Sequence, residues 1–254
     1  MEINAERVIE LAKSVRPLFM DHERASRITV KGAADFVTQV DFLVQERMRS
    51  GLFDMYPQVQ FMGEEKDNRD IDFSGAVWIL DPVDGTTNLI HDFRCSALSL
   101  ALCDRGQMEL GLIYQPYEDE LFLAQRGKGA FLNGNPIHVS SVKDLGQSLI
   151  SIGTSPYNHD LADRNFEDIK RVFLKCSDIR RTGSAAVDLA YVACGRLDAY
   201  FERCLNPWDF AAGMLAGGRV TTFAGRAVDV SGPSDILSSN GRIGILLEDE
   251  LLPL

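Results

Sequence analysis

The sequence has 254 residues, of which 45% are hydrophobic and 25% charged, with a formal net charge of -11. This length fits one large domain or two small ones with a sizeable core. The acidic balance, without any Lys/Arg-rich run, argues against nucleic acid or an anionic membrane as the main partner. Neither a secretory leader nor an apolar run of about 20 residues is present, and the five cysteines are scattered. We therefore expect a cytoplasmic protein with reduced thiols and no zinc site.

The first 80 residues contain two helical patterns and one short apolar strand. Apolar residues at helical spacing predict an amphipathic helix over 4–20, with Asn4 as N-cap and Pro17 disturbing its far end. A second helix is predicted over 39–55. The run Val-Trp-Ile-Leu at 77–80 predicts a strand.

The remainder divides into a β-rich stretch and an alternating stretch. Residues 96–139 alternate in polarity and predict antiparallel strands, with turns at 104–106 and 133–134. After that, strands alternate with helices predicted over 160–175 and 184–195. The combination predicts an α+β layered sandwich of two subdomains without a flexible linker.

The segment Trp-Ile-Leu-Asp-Pro-Val-Asp-Gly-Thr-Thr-Asn at 78–88 carries the clearest chemical information. Asp81 ends a buried strand, and Asp84 precedes a Gly85 turn that opens a helix. Two carboxylates therefore lie beside the free N–H groups of a helix start, which bind phosphate oxygens. The alternative is a plain strand-to-helix turn with Asp84 as N-cap. The complete string favours the chemical interpretation, a cation site next to an anion site, which phosphoryl transfer requires.

This string resembles the metal-binding signature of the inositol monophosphatase family. Gly63-Glu64-Glu65 and the segment 208–213, Trp-Asp-Phe-Ala-Ala-Gly, match the family in the same order, and weaker matches lie at 31–41 and 180–186. The resemblance implies one phosphatase domain over 1–254, an α-β-α-β-α sandwich like that of inositol monophosphatase and fructose bisphosphatase. Its N-terminal half, about 1–142, would hold the metal site, and about 143–254 would form the C-terminal α/β half.

The resemblance also implies a set of oxygen ligands for two Mg²⁺ ions. The first ion would be held by Glu64, Asp81 and the carbonyl of Val83, and the second by Asp81, Asp84 and Asp209. A third, weaker ion would lie near Glu64 through water. All-oxygen ligation is typical of magnesium. Taken singly, Glu64 could be a surface acid and Asp209 a helix N-cap.

Catalytic and substrate roles follow from the same resemblance. Asp41 and Thr86 would orient the attacking water near Glu64, and Lys31 would lie close to it. Thr38 and Asp41 also resemble a helix capping box, and Lys31 could be an ordinary surface lysine. Glu202 would accept a hydrogen bond from a substrate hydroxyl, although it could also be a plain strand-edge acid. The substrate-binding set is Gly85, Thr86, Gly183, Ser184, Ala185 and Glu202.

The expected reaction is hydrolysis of a small phosphorylated polyol or sugar, foremost inositol monophosphate, and the resemblance implies inhibition by lithium and a homodimer. Fructose-1,6-bisphosphate, histidinol phosphate and 3′-phosphoadenosine phosphate are alternative substrates within the same chemistry. A non-catalytic regulatory binding protein is the alternative of another class. The retained set of carboxylates argues against it.

One departure from the family pattern follows the second signature. The helix beginning at Asp209 meets Gly217 and Gly218 about one turn early, a loss of about 5 Å along its axis. Either the helix is truly shortened or a segment is omitted from the sequence. Because the flanking positions match, we expect the omission, with a chain break near Leu215–Ala216.

Overall fold

The computed structural model describes residues 3–32, 34–216 and 218–251. The α-helices are α1 Ala5–Lys13, α2 Arg16–Phe19, α3 His22–Ala25, α4 Gln39–Met55, α5 Thr86–Ile90, α6 Ala162–Phe173, α7 Ala185–Ala193, α8 Pro207–Phe210 and α9 Gly244–Leu251. The first strands are β1 Ile28–Gly32, β2 Asp35–Thr38, β3 Gln60–Gly63, β4 Ala76–Asp84, β5 Ala97–Asp104, β6 Gln107–Gln115 and β7 Glu120–Gln125. The others are β8 Gly129–Leu132, β9 Asn135–Pro136, β10 Leu149–Ile152, β11 Asp178–Arg180, β12 Ala199–Leu205, β13 Arg219–Thr222 and β14 Ser234–Ser239.

Local sequence signals explain the helix bounds. The Asn4 side chain accepts a hydrogen bond from the N–H of Arg7, which confirms it as the N-cap of α1. The predicted helix 4–20 is instead two helices, and Pro17 lies in the first turn of α2, where its missing N–H costs nothing. The predicted helix over 39–55 is confirmed as α4.

Three sheets organise the strands. β3 to β9 form a seven-stranded sheet in chain order, antiparallel except for the parallel pair β3–β4. The second sheet has the order β11-β10-β12-β14-β13, with β10 parallel to both neighbours. The exposed hairpin β1–β2 forms the third. Positive φ angles at Arg105 and Gly106, and at Asn133 and Gly134, confirm the two predicted hairpin turns.

The two larger sheets and the helices stack in five layers. Alternate residues of β4 face opposite ways: Trp78 and Leu80 pack with α1 and α4, whereas Val77 and Ile79 pack with α7 and α8. α7 and α8 also cover one face of the second sheet, whose other face packs against α6 and α9. This order confirms the predicted α-β-α-β-α sandwich. None of the helices that the structure describes combines the length and apolar character of a membrane span.

The helix after the second signature is short, and a tight turn follows it. α8 ends at Phe210, a 3-10 turn covers Ala212–Leu215, and the N–H of Ala216 donates to the carbonyl of Gly213 at 3.2 Å. The helix is therefore short in this sequence, and the expected omission of a segment near Leu215–Ala216 stays a prediction that an intact mass would test. A glycine in β6 makes room for this turn, because a Cβ at Gly111 would lie 2.1 Å from the Ala212 carbonyl oxygen.

Candidate active site

The site begins at the end of β4, the longest buried strand of the first sheet. Asp81 is 2% exposed, and one of its oxygens accepts a hydrogen bond from the N–H of Val83 at 2.9 Å. The pairing of β4 with β5 shifts register between Asp81 and Asp84. This bulge bends the strand around Pro82, a residue that cannot donate to a sheet ladder, and brings both carboxylates to one edge.

The third carboxylate comes from helix α8, which follows a strand of the second sheet. Asp209 lies in α8, directly after β12, and one of its oxygens accepts the N–H of Asn206 at 2.7 Å. One oxygen each of Asp81, Asp84 and Asp209 lie within 4.8 Å of one another. We call these three residues the acidic triad. Asp209 is therefore not the N-cap that the alternative interpretation expected, because Asn206 holds that position; it is the N3 residue of the capping box and also belongs to the site.

Burial and mutual repulsion raise the pKa values of the triad. The pKa of Asp81 lies well above its ordinary value because of burial first and the charges of Glu64, Asp84 and Asp209 next. Burial raises the pKa of Asp84 to about 6, although the hydrogen bonds that its carboxylate accepts lower it. The pKa of Asp209 is also raised, by burial and by the charge of Asp84. Three clustered carboxylates with such pKa values form a favourable site for a hard divalent cation.

Glu64 lies next to the triad but pairs with a lysine. Lys31 Nζ lies 3.3 Å from a Glu64 oxygen and donates to Glu65 at 2.6 Å. The structure therefore places Lys31 at the site, where its ammonium group pairs with the carboxylates of Glu64 and Glu65. Although burial lowers the pKa of Lys31, its carboxylate neighbours outweigh this and raise it. Burial raises the pKa of Glu64 to about 7, despite the nearby Lys31 charge.

Asp41 connects helix α4 to the motif. One of its oxygens accepts both the N–H of Thr38, at 2.8 Å, and the Thr38 hydroxyl, at 2.6 Å. The other oxygen accepts the Thr86 hydroxyl at 2.9 Å, and the carbonyl of Val83 lies 3.0 Å from that hydroxyl. Asp41 is fully buried, and its pKa is raised by burial against these hydrogen bonds. Both predicted contacts, the capping box and the link to Thr86, are present.

The start of α7 holds Asp84 from the opposite side. One oxygen of Asp84 accepts the hydroxyl of Ser184 and, at 2.7 Å, the N–H of Ala186. Ser184 is only 2% exposed, so its hydroxyl faces the carboxylate rather than the open cavity, unlike the substrate contact expected for it. Gly183 and Ala185 do line the cavity. A positive φ at Gly85 allows the chain to pass the Gly183 carbonyl, which a Cβ there would approach to 3.0 Å.

Glu202 lines the same cavity from β12, with both oxygens already engaged. One oxygen accepts the N–H of Ser155 at 2.8 Å and the other the hydroxyl of Tyr200 at 2.6 Å. These bonds fix the carboxylate, and each oxygen keeps a further lone pair for a ligand hydroxyl.

The cavity above the triad has a volume of about 380 Å³, a size suited to a small ligand. Its rim contains residues that the sequence analysis missed: Phe36, Phe93, Tyr157 and Arg181. Phe93 and Tyr157 are 62% and 65% exposed, unusual values for aromatic side chains. Phe36 lies in β2 and the other three lie in loops. No periodicity marks these positions in the sequence, and only the fold brings them together.

Comparisons with known proteins agree with this geometry. A sequence profile of the inositol monophosphatase family matches residues 2–249. The Nus factor SuhB of Vibrio cholerae is 41% identical over 227 residues, 87% of this chain and 84% of that protein. An inositol monophosphatase of Dictyostelium discoideum is 37% identical over 235 residues, 88% of this chain and 84% of that protein.

Solved structures share the fold over nearly the whole chain. The extragenic suppressor protein suhB of Bartonella henselae superposes with a TM-score of 0.89 at 34% identity, covering 97% of both chains. SaIMPase-II, 28% identical, was solved with inositol monophosphate bound (TM-score 0.84, 98% of this chain and 94% of that chain). Its structure with 2′AMP bound has a TM-score of 0.83 and covers 98% of this chain and 93% of that chain. By profile, identity and coverage, the chain belongs to the inositol monophosphatase family.

Proposed function

We propose that this chain is a magnesium-dependent phosphatase whose first substrate class is inositol monophosphate and similar phosphorylated polyols. The observation that carries the proposal is the acidic triad, drawn from β4 and α8, two of whose members, Asp84 and Asp209, line a cavity together with Thr86 and Gly183. All its ligand atoms are carboxylate oxygens, which suits Mg²⁺ and disfavours zinc or copper. Family membership and the inositol monophosphate held by SaIMPase-II support the substrate class.

The protein groups divide into metal ligands and groups that position reactants. The acidic triad, with Glu64 and the Val83 carbonyl, would hold two ions, and a third, weaker one would lie near Glu64. When bound, magnesium would neutralise charge on the phosphoryl oxygens and activate the attacking water. Thr86, held by Asp41, would accept a hydrogen bond from the attacking water and fix its direction. Ser184 would position Asp84, and Gly183, Ala185 and Glu202 would contact the substrate.

The test is phosphate release from a panel of substrates in magnesium and in chelator. We expect hydrolysis of inositol 1-phosphate that depends on Mg²⁺ and falls when EDTA or lithium is added. Fructose-1,6-bisphosphate, histidinol phosphate and 3′-phosphoadenosine phosphate serve as competing substrates. Undiminished turnover in EDTA would contradict the metal assignment, while a better rate on another substrate would redirect only the substrate class.

A nucleotide phosphate monoester is the second candidate substrate. The exposed aromatic rings of Phe93 and Tyr157, with Arg181 beside them, offer stacking surfaces for a planar base. SaIMPase-II binds 2′AMP, which is such a monoester. Adding 2′-AMP to the panel tests this candidate. A Phe93→Ala variant should then lose more kcat/KM on 2′-AMP than on inositol 1-phosphate.

A regulatory role is the alternative of another class. Relatives named Nus factor SuhB support it, since that name describes a factor rather than an enzyme. It predicts that the acidic triad is dispensable, so an Asp84→Asn variant without phosphatase activity would keep the regulatory function.

A further inference from the structure

A second cavity, of about 410 Å³, lies in the C-terminal half and shares no lining residue with the candidate active site. α6, β12, the turn after β13 and the segment leading into β14 form its walls. The lining residues are Arg164, Arg203, Cys204, Thr222, Phe223, Ala224, Arg226, Pro233, Ser234 and Asp235. We call it the arginine cavity.

Charge distinguishes this cavity from the rest of the molecule. The chain has 19 arginines and a net charge of -11. Among the described residues, most arginine side chains have a hydrogen bond or an ion pair. Four of the described arginines have neither: Arg7, Arg164, Arg226 and Arg242. Two of these four, Arg164 and Arg226, line the arginine cavity. Their guanidinium groups are therefore available to a ligand.

The third arginine forms a fixed wall. The Arg203 side chain is 6% exposed, donates to Asp235 at 2.9 Å and to Asp168, and lies 4.5 Å from the centre of the Phe223 ring. Its buried Nε has no hydrogen-bond partner in the described chain. Asp235 is the one carboxylate in the lining, and it and Asp168 both pair with Arg203, so the positive charge of the cavity comes from the unpaired guanidinium groups of Arg164 and Arg226.

We propose that the arginine cavity binds a small phosphate-bearing anion, either inorganic phosphate or a phosphate monoester. Guanidinium groups bind phosphate through paired, charge-assisted hydrogen bonds, and unpaired ones do so without first losing a carboxylate partner. Hydroxyl groups of Thr222 and Ser234 add neutral donors. This site does not depend on the proposed phosphatase activity.

The cavity also has a direct connection to the candidate active site. Arg203 and Glu202 are neighbours in β12 whose side chains line different cavities. The Ser155 hydroxyl donates to the Arg203 carbonyl at 2.7 Å, and the Ser155 N–H donates to Glu202 at 2.8 Å. Ser155 therefore joins the strand positions that line the two cavities.

Calorimetric titration of the full chain with inorganic phosphate tests the proposal. Chelator and constant KCl are present, so that the bare acidic triad repels the anion from the active site. The Arg164→Gln/Arg226→Gln double variant should bind phosphate about tenfold or more weakly. The matched control, Arg7→Gln/Arg242→Gln, removes the other two unpaired arginines and the same charge, and should bind like the native chain.

A parallel titration with AMP distinguishes the two ligand sources. Tighter binding of AMP than of phosphate assigns the cavity to a phosphate monoester, and equal binding assigns it to inorganic phosphate. The proposal is overturned if the native chain binds neither anion, or if both double variants lose affinity equally. Binding of an acidic peptide or RNA that requires Arg164 and Arg226, without binding of either small anion, would also overturn it.

Discussion

Asp41 illustrates how one residue serves structure and chemistry together. One carboxylate oxygen closes the capping box at Thr38, and the other holds the Thr86 hydroxyl. The cap fixes the rotamer of the carboxylate, so the direction of Thr86 is set by helix α4. Such a group orients a reactant without contacting a cation itself.

Asp81 and Asp41 should therefore differ in the size of their effect on kcat. Asp81→Asn removes a charge that two cations would share, and we expect a loss on the order of a thousandfold. Asp41→Asn disturbs only the orientation of the water, and about 10- to 100-fold is expected. Steady-state kinetics at saturating Mg²⁺ measures both.

The control for this comparison is Asp54→Asn, an exposed position on the same helix as Asp41. It should leave kcat unchanged. If Asp41→Asn proved more damaging than Asp81→Asn, the two roles would have been assigned the wrong way round.

Locality explains which site residues the sequence predicts. Asp81, Asp84 and Thr86 lie within one strand–turn–helix segment, so their convergence follows from local geometry. Asp209 required the family resemblance, because only the stacking of two sheets brings it within 4.8 Å of the others. Tyr157 and the pairing of Lys31 with Glu65 carry no sequence signal, since both depend on how distant loops fold back.

At the level of elements, the short turn after α8 depends on a glycine in β6. The Ala212 carbonyl lies so close to Gly111 that a Cβ would approach it to 2.1 Å. Gly111→Ala should therefore lower the free energy of unfolding by about 1–3 kcal/mol or more, as overpacking does. Urea denaturation measures the change.

Gly232→Ala provides the matched control for that substitution. Nothing lies within 4 Å of a Cβ at Gly232, and its φ is not positive. Its stability should stay within about 0.5 kcal/mol of the native chain. Equal stability of the two variants would mean that the turn is not packed against β6 as described.

The spacing of apolar residues predicted the helices and strands that bury one face. It missed elements that bury no face. α4 matched its predicted bounds because Val44, Met48 and Leu52 form one buried face against the first sheet. The hairpin β1–β2 gave no signal, since every residue of β1 is exposed and alternation has no core to follow. After α8, a 3-10 turn over Ala212–Leu215 takes the place of the further helical turn that the family pattern predicts, and family spacing cannot reveal such a turn. The predicted omission near Leu215 stays a prediction.

For the whole molecule, the raised pKa values make the free energy of unfolding depend on pH, and the direction of this dependence should reverse when metal binds. Asp84 and Glu64 have pKa values of about 6 and about 7, above those of an unfolded chain. The folded, metal-free protein therefore binds more protons between pH 4 and 7. Its free energy of unfolding should rise as pH falls from 8 to 5, by up to about 1.4 kcal/mol per pH unit for each proton.

Magnesium should reverse this trend, because cation binding requires ionised carboxylates. We expect Mg²⁺ to raise the melting temperature most at pH 8 and least at pH 5. Thermal melts in EDTA and in Mg²⁺ across this range check both slopes. A melting temperature in EDTA that rises steadily toward pH 8 would contradict the assignment of a repelling acidic triad.

The oligomeric state remains a prediction from family resemblance. We expect a homodimer, and sedimentation at micromolar concentration checks it. A species of 28.2 kDa, the mass of one chain, would reject the dimer.

The origin of the acidic triad in two distant segments, β4 and α8, has a mechanical consequence. Asp81 and Asp84 belong to β4, whereas Asp209 follows β12, so a cation held by all three would tether segments that are far apart in the chain. Like a cross-link, such a tether restricts the ways in which the two halves can separate. With the ion bound, the halves should open as one cooperative unit. Without the ion, we expect charge repulsion within the triad to make the backbone amides around it the first to exchange with solvent.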